Sequence, residues 1–418
     1  MRSPSRRQLL QGAAAAAAAA ALPRVARAAG AADRNFLFLT CFGGWDATRA
    51  LIPAFDNPQV EMESEAGARS LGSDLVVVEH PRRPSQTRFW DRWGDDLAVV
   101  HGMLVPSVAH MACLQLARTG ALSGSPDWPA IIASQNGGAT PLPHLAVSGP
   151  SYPAELAPFT ARTGAGGQLE ALVAGDLLSR SDQPVQALDP EIAALQAELV
   201  AERRDAARAR ATGRRHRELL YGHATAGERV SALRAASGSV SWRSSGAFPD
   251  DCLLAVELLG AGLSRCISLA HPALWDSHSE NALYQQLLWE ETFLGLDLLR
   301  EALADTPGQQ GGSLADETVV VLMSEMGRSP TLNANNGKDH WPYASAMVWG
   351  PGISGGRAYG GYDEFFRGAP VDLATGLVDP SGAPLTCSAF GATLLQAADI
   401  DPAAWVPGDD PISAMIES

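Results

Sequence analysis

Thr318-Val319-Val320-Val321-Leu322-Met323 runs straight into Ser324-Glu325-Met326-Gly327-Arg328. An apolar run without polar alternation predicts a strand covered on both faces. The change to a charged, glycine-bearing loop marks its end. Working upstream, Ala282 to Leu303 reads as a helix, with Leu283, Leu287, Leu294 and Leu298 on one face. Before it come a loop from His271 to Asn281, a short strand from Arg265 to Ala270, and a helix from Cys252 to Ala261. Nearer the N-terminus, Phe36 to Phe42 is a buried-strand pattern ending in Gly43-Gly44. Leu75 to Val78 and Leu97 to His101 are two more, and a helix is expected from Ala109 to Leu122. Strands alternating with helices predict an α/β fold, here a three-layer α/β/α sandwich with a mostly parallel sheet.

Two regions break the alternation. Turn signals dominate from Gly138 to Gly167. From Pro190 to Leu220 the spacing of Leu188, Ile192, Leu195 and Leu199 predicts one long amphipathic helix, within a helical insertion at about 185–248. The arginines from Arg203 to Arg217 are interleaved with Ala and flanked by Glu202 and Glu218, which reads as a solvated helix face. No internal repeat is present.

The chain has 418 residues, is 46% hydrophobic and 18% charged, and carries a net charge of -15. That composition excludes a disordered or fibrous chain, and the acidity argues against a nucleic-acid partner. The charge is uneven. Arg2, Arg6, Arg7, Arg24 and Arg27 lie in the first 28 residues, which hold no acid. Without them 26 of the 31 basic residues face 46 acidic ones, a balance of -20. Ser5-Arg6-Arg7-Gln8-Leu9-Leu10, the alanine run Ala13 to Ala21, and Ala26-Arg27-Ala28 form a charged start, a mildly apolar middle and a small-residue cleavage site. Paired arginines before Leu9-Leu10 resemble a twin-arginine signal. The expectation is therefore a signal at 1–28 read by the twin-arginine export machinery, and a single domain at 29–418 in the periplasm or outside the cell. No segment of the mature chain is long and apolar enough to span a bilayer. Five cysteines without a C-x-x-C pair point to buried small residues, with one disulfide left open.

In open α/β sheets, sites gather beyond the carboxyl ends of strands. Three segments qualify: Gly43-Gly44-Trp45-Asp46, Trp275-Asp276-Ser277-His278, and Ser324 to Arg328 followed by Asp339-His340-Trp341. Carboxylates and imidazoles in such loops are the usual ligands of zinc or manganese. Simpler roles stay open at this point: Asp276 as a helix cap, Glu325 as a partner of Arg328, Asp46 as support for a turn. There is no G-x-S-x-G elbow, P-loop or dinucleotide fingerprint.

The order of these motifs resembles the alkaline phosphatase-like superfamily. Within it, the chain is similar to exported bacterial proteins grouped as domain of unknown function 1501. The resemblance rests on Gly43-Gly44-Trp45-Asp46, His110 leading to Thr119-Gly120, Asp276-Ser277-His278, Ser324-Glu325-Met326-Gly327-Arg328 and Asp339-His340. It implies a first metal site of Asp276, His278 and His340, with Asp339 beside it. A second site would take Glu325 and the early acid, Asp46. Met326 stands where that superfamily usually has His. His110 stands near the position of the Ser or Thr nucleophile, where it could bind metal or act as a base, and Arg328 could steady an anion. Two functions follow as expectations. One is an exported, metal-dependent hydrolase of a small-molecule or polysaccharide phosphate or sulfate ester. The other is a non-catalytic envelope protein that keeps the fold and binds a partner.

Overall fold

The computed structural model describes residues 30–72, 74–136, 140–163, 169, 173, 189–236, 240 and 245–417. The export signal lies outside them. Eight strands form one central sheet: β1 (Asn35–Thr40), β2 (Ala98–Leu104), β3 (His144–Ala146), β4 (Thr160–Arg162), β5 (Cys266–Ala270), β6 (Thr318–Met323), β7 (Tyr343–Trp349) and β8 (Arg357–Gly360). Their order across the sheet is β8-β2-β7-β6-β1-β5-β3-β4. Only β7 runs antiparallel to its neighbours β2 and β6; the other pairings are parallel.

Side chains alternate across this sheet and feed two cores. Leu37, Leu39, Ile267, Val320 and Leu322 face one layer, made by α1 (Pro84–Trp93), α6 (Phe248–Gly260) and α7 (Asn281–Asp305). Phe36, Phe38, Val319, Val321 and Met323 face the other, made by α2 (His110–Thr119), α3 (Trp128–Asn136) and α8 (Cys387–Ala397). The result is the expected α/β/α sandwich. With both faces covered, the central strands need no polar alternation.

Several expectations are corrected. The insertion holds two helices, α4 (Pro190–Arg210) and α5 (Arg214–Ala236), because the chain leaves helical geometry at Ala211 before Gly213. On α7 the buried face is Leu288, Trp289, Phe293, Leu296 and Leu299, while Leu283, Leu287 and Leu294 are exposed. Large aromatics packed against α1, Phe293 on Phe89 and Trp90, won that face over the leucine stripe. Leu75–Glu79 pairs with Gly67–Leu71 in a separate hairpin, with Val76 exposed. All five cysteines are buried and free. Among the described residues, no helix is long and apolar enough to cross a membrane.

Candidate metal centre

Register places the site. Thr40 at the end of β1 is level with Ala270 on one side and Met323 on the other. Three loops, at 41–46, 271–280 and 324–328, therefore leave the sheet side by side. The antiparallel β7 adds a fourth. A residue that precedes an antiparallel strand lies at the carboxyl edge of its parallel neighbours. His340 and Trp341 accordingly pair with Arg328 and Gly327 just beyond β6. His110 opens α2 after β2 and enters the same space.

Close backbone approach holds the loops together. Gly43 has φ +119°, and a Cβ there would sit 2.5 Å from the Trp275 nitrogen. Only glycine fits such a backbone and such a contact. Arg328 locks the junction. Its Nε donates to the Gly44 carbonyl at 2.8 Å and its Nη1 to the Lys338 carbonyl at 3.0 Å. Nη2 donates to the Gly43 carbonyl and to Asp276 Oδ1, the latter at 2.5 Å. The second turn of α7 helps: Gln285 Nε2 donates to the Trp275 carbonyl and to Ser277 Oγ, each at 3.0 Å.

Inside this frame three imidazoles converge on one carboxylate. His110 Nε2 is 3.4 Å from Asp276 Oδ2. His278 Nε2 and His340 Nε2 lie 3.2 and 3.4 Å from Asp276 Oδ1. Each ring is anchored through its other nitrogen. His110 Nδ1 is 2.8 Å from Glu325 Oε1, His278 Nδ1 is 3.1 Å from Asp339 Oδ1, and His340 Nδ1 is 2.7 Å from the Val108 carbonyl. Carbonyl and carboxylate oxygens only accept, so each neutral ring carries its proton on Nδ1 and turns an Nε2 lone pair inward. An outer acceptor fixing the tautomer is the usual support of a metal-binding histidine.

Electrostatics favour the Asp276 charge but draw His110 toward its protonated form, so a cation bound there must displace a proton. Burial raises the Asp276 carboxyl, but hydrogen bonding to Arg328 and its charge outweigh this and hold it below the ordinary range. The hydrogen bond to Glu325 raises His110, against burial. Asp339 is held low by hydrogen bonds from Asn333 and His278.

The donor set fits a divalent cation. His110 Nε2 is buried with no hydrogen-bond partner. His278 Nε2 and His340 Nε2 are 2.9 Å apart, where two lone pairs repel unless a proton or cation intervenes. His110, Asp276 and His340 can each offer one donor atom, all within 4.8 Å of one another. His110 faces one oxygen of Asp276, Oδ2, and His340 the other, Oδ1, each at 3.4 Å.

The other expected residues sit elsewhere. Asp46 is buried and bonded to Arg49 at 3.0 Å, Lys338 at 2.9 Å and Asn281 at 2.7 Å. Burial raises its carboxyl, but Lys338 and Arg49 carry it far below the carboxylate range. It braces the site from beneath. Glu325 is fully buried and spends its oxygens on His110, the Gly43 N–H and Ser324 Oγ. It stands one bond behind the cluster, not opposite Arg328. Arg328 itself is buried and turned into the protein, with its donors on backbone carbonyls and Asp276. Met326 packs in the core. Sequence reasoning missed Lys338. It is the chain's only lysine, fully buried, directly before Asp339-His340, and that singularity was a readable signal.

The family described as Protein of unknown function (DUF1501) matches residues 90–404. The chain belongs to this family. Residues 3–23 match the twin-arginine translocation pathway signal sequence, so this family member is exported across the membrane. A comparison with curated proteins found no match. Solved structures similar to the chain include the following three. One is Ps i-CgsB in complex with k-i-k-neocarrahexaose, at 11% identity and TM-score 0.38, covering 88% of this chain and 72% of that one. Another is PsFucS1 sulfatase from Pseudoalteromonas sp., at 10% identity and TM-score 0.37, covering 99% and 77%. The third is BT4656 in complex with D-Glucosamine-2-N, 6-O-disulfate, at 10% identity and TM-score 0.34, covering 91% and 81%.

Proposed function

We propose that the exported protein is a metal-dependent hydrolase of phosphate or sulfate esters. The observation that supports this most is the convergence of three inward Nε2 lone pairs on Asp276, each ring anchored at Nδ1. In this reading His110, Asp276 and His340 hold one zinc or manganese ion. When bound, such an ion polarises an ester oxygen and makes water more acidic. The chain's own residues supply the rest. Arg328 keeps Asp276 ionised and the Gly43-Gly44 turn in place. Glu325 keeps the His110 proton on Nδ1. His110 takes the first position of α2, so no Ser or Thr hydroxyl starts that helix and water is the attacking group. His278, the most open of the three rings, is paired with Asp339 and takes the proton from water as general base.

The second reading, a non-catalytic envelope protein, draws on the inward orientation of Arg328, which leaves an anionic ester without that cation. One experiment separates the two. Metal content is measured on the exported protein, and turnover on a panel of phosphate and sulfate esters. The hydrolase reading expects metal lost in Asp276→Asn and His340→Ala, and turnover lost with metal retained in His278→Ala. Absence of both metal and turnover in the unmodified protein sinks it.

A further inference from the structure

A cavity of about 620 Å³ opens between residues 52–59 and residues 361–366, with His101 of β2 in its wall. That volume suits a small organic molecule. The cavity shares no residue with the metal centre, yet the two are linked. Trp341, next to His340, donates from Nε1 to the carbonyl of Phe366 at 2.7 Å.

His101 is only 8% exposed. Its Nδ1 is buried without a hydrogen-bond partner. Among the described residues no hydrogen bond reaches Nε2 either, and the ring lines the cavity. Burial lowers the imidazole to about 4, so at neutral pH it holds one N–H and one lone pair. The protein satisfies neither, and a buried polar group without a partner is a cost that a ligand can recover.

The rest of the lining selects the ligand. Asp56, Asp363 and Glu364 contribute to it, and no lysine or arginine does. Asp363 is taken up by Arg367 at 2.8 Å. Asp56 and Glu364 are exposed and form no ion pair among the described residues. Tyr362 and Phe366 stack in the wall with ring centroids 4.2 Å apart, and Phe365 is 50% exposed. An anion is repelled by this lining. A bare metal ion is not served by it: among the described residues only His110, Asp276 and His340 bring donor atoms close enough to share one. A neutral sugar offers as many acceptors as donors, whereas free carboxylates answer donors alone. Carboxylates, aromatic rings and an imidazole lone pair together suit an ammonium group on a carbon frame.

We propose that this cavity binds an organic primary amine in its ammonium form, its N–H groups shared between His101 and the carboxylates of Asp56 and Glu364 and its carbon frame against the aromatic wall. The proposal does not rest on the hydrolase reading.

The test is isothermal titration of the signal-processed protein with phenethylamine and with glucosamine. Each is compared with an uncharged counterpart, phenethyl alcohol and N-acetylglucosamine. Expected is saturable binding of one or both amines that weakens with salt, with the counterpart at least about tenfold weaker. Asp56→Asn with Glu364→Gln weakens amine binding by at least about tenfold, and His101→Phe by several-fold. Both variants keep the parent's circular dichroism and metal content; should His101→Phe misfold, the exposed carboxylate pair carries the test. Treatment with EDTA leaves amine binding unchanged, which separates the cavity from the metal centre. The proposal is overturned if neither amine binds, or if the uncharged counterparts bind equally well. It is also overturned if binding survives loss of both carboxylates, or if EDTA abolishes it.

Discussion

Arg328→Lys separates a brace from a substrate contact. The arginine is buried and ties the Gly43, Gly44 and Lys338 carbonyls to Asp276. Lysine keeps the charge but presents a single ammonium in place of a planar fork. From this position it can satisfy Asp276 and one carbonyl, leaving two carbonyls without their charged donor. At about 1.5–3 kcal/mol for each such bond, the loss is about 3–6 kcal/mol, with local relaxation favouring the lower end. For the mature chain, unfolding entropy near 2.1 cal/mol/K per residue amounts to about 0.8 kcal/mol/K, so Tm falls by roughly 4 °C or more. The assay is urea and thermal unfolding of the exported protein, with turnover and metal content measured alongside. Stability should fall, with metal affinity falling too because Asp276 loses its anchor. If stability and metal stay within about 0.5 kcal/mol of the parent while turnover alone drops, Arg328 faces substrate and the bracing argument is refuted.

Three further predictions follow from named contacts. Gly43→Ala forces a Cβ to within 2.5 Å of the Trp275 nitrogen at φ +119°, and should cost about 2–4 kcal/mol in urea unfolding and open the metal site; an unchanged midpoint would show that the loops are not in contact. His340→Ala should lower metal content by elemental analysis, whereas Glu325→Gln, one bond further out, should weaken metal affinity by about 10–100-fold without abolishing it; equal effects from both would remove the distinction. Burial lowers His101, His144 and His271 to about 4, so between pH 6.5 and 4 the unfolded chain takes up protons that the folded chain refuses. Stability is fully present above pH 6.5 and falls toward pH 4 by up to about 3 kcal/mol per residue; a flat urea-unfolding profile over that range contradicts it.

Much of the fold was legible because burial on both faces writes itself as uninterrupted apolar runs. Phe36 to Phe42 and Thr318 to Met323 could hardly be anything but central strands. Helix faces were less legible. The leucine stripe of α7 pointed to solvent, because Trp289 and Phe293 bury more area and took the core side. On α4, too, Ile192, Leu195 and Leu199 remain exposed.

At the site, residue types and their loops could be named in advance, and their partners could not. Glu325 meets His110 across 215 positions, and Arg328 meets Asp276 rather than its near neighbour Glu325. Asp46 and Lys338 form a buried pair that no local pattern announces. Sequence alone determined the export signal, the alternation of strands and helices, and the chemistry available at the strand ends, because these depend on short-range pattern and composition. The tertiary structure decided which of those groups meet. That rests on the common register of β5, β1 and β6 and on the reversed direction of β7, both set by hydrogen bonds between segments far apart in the chain.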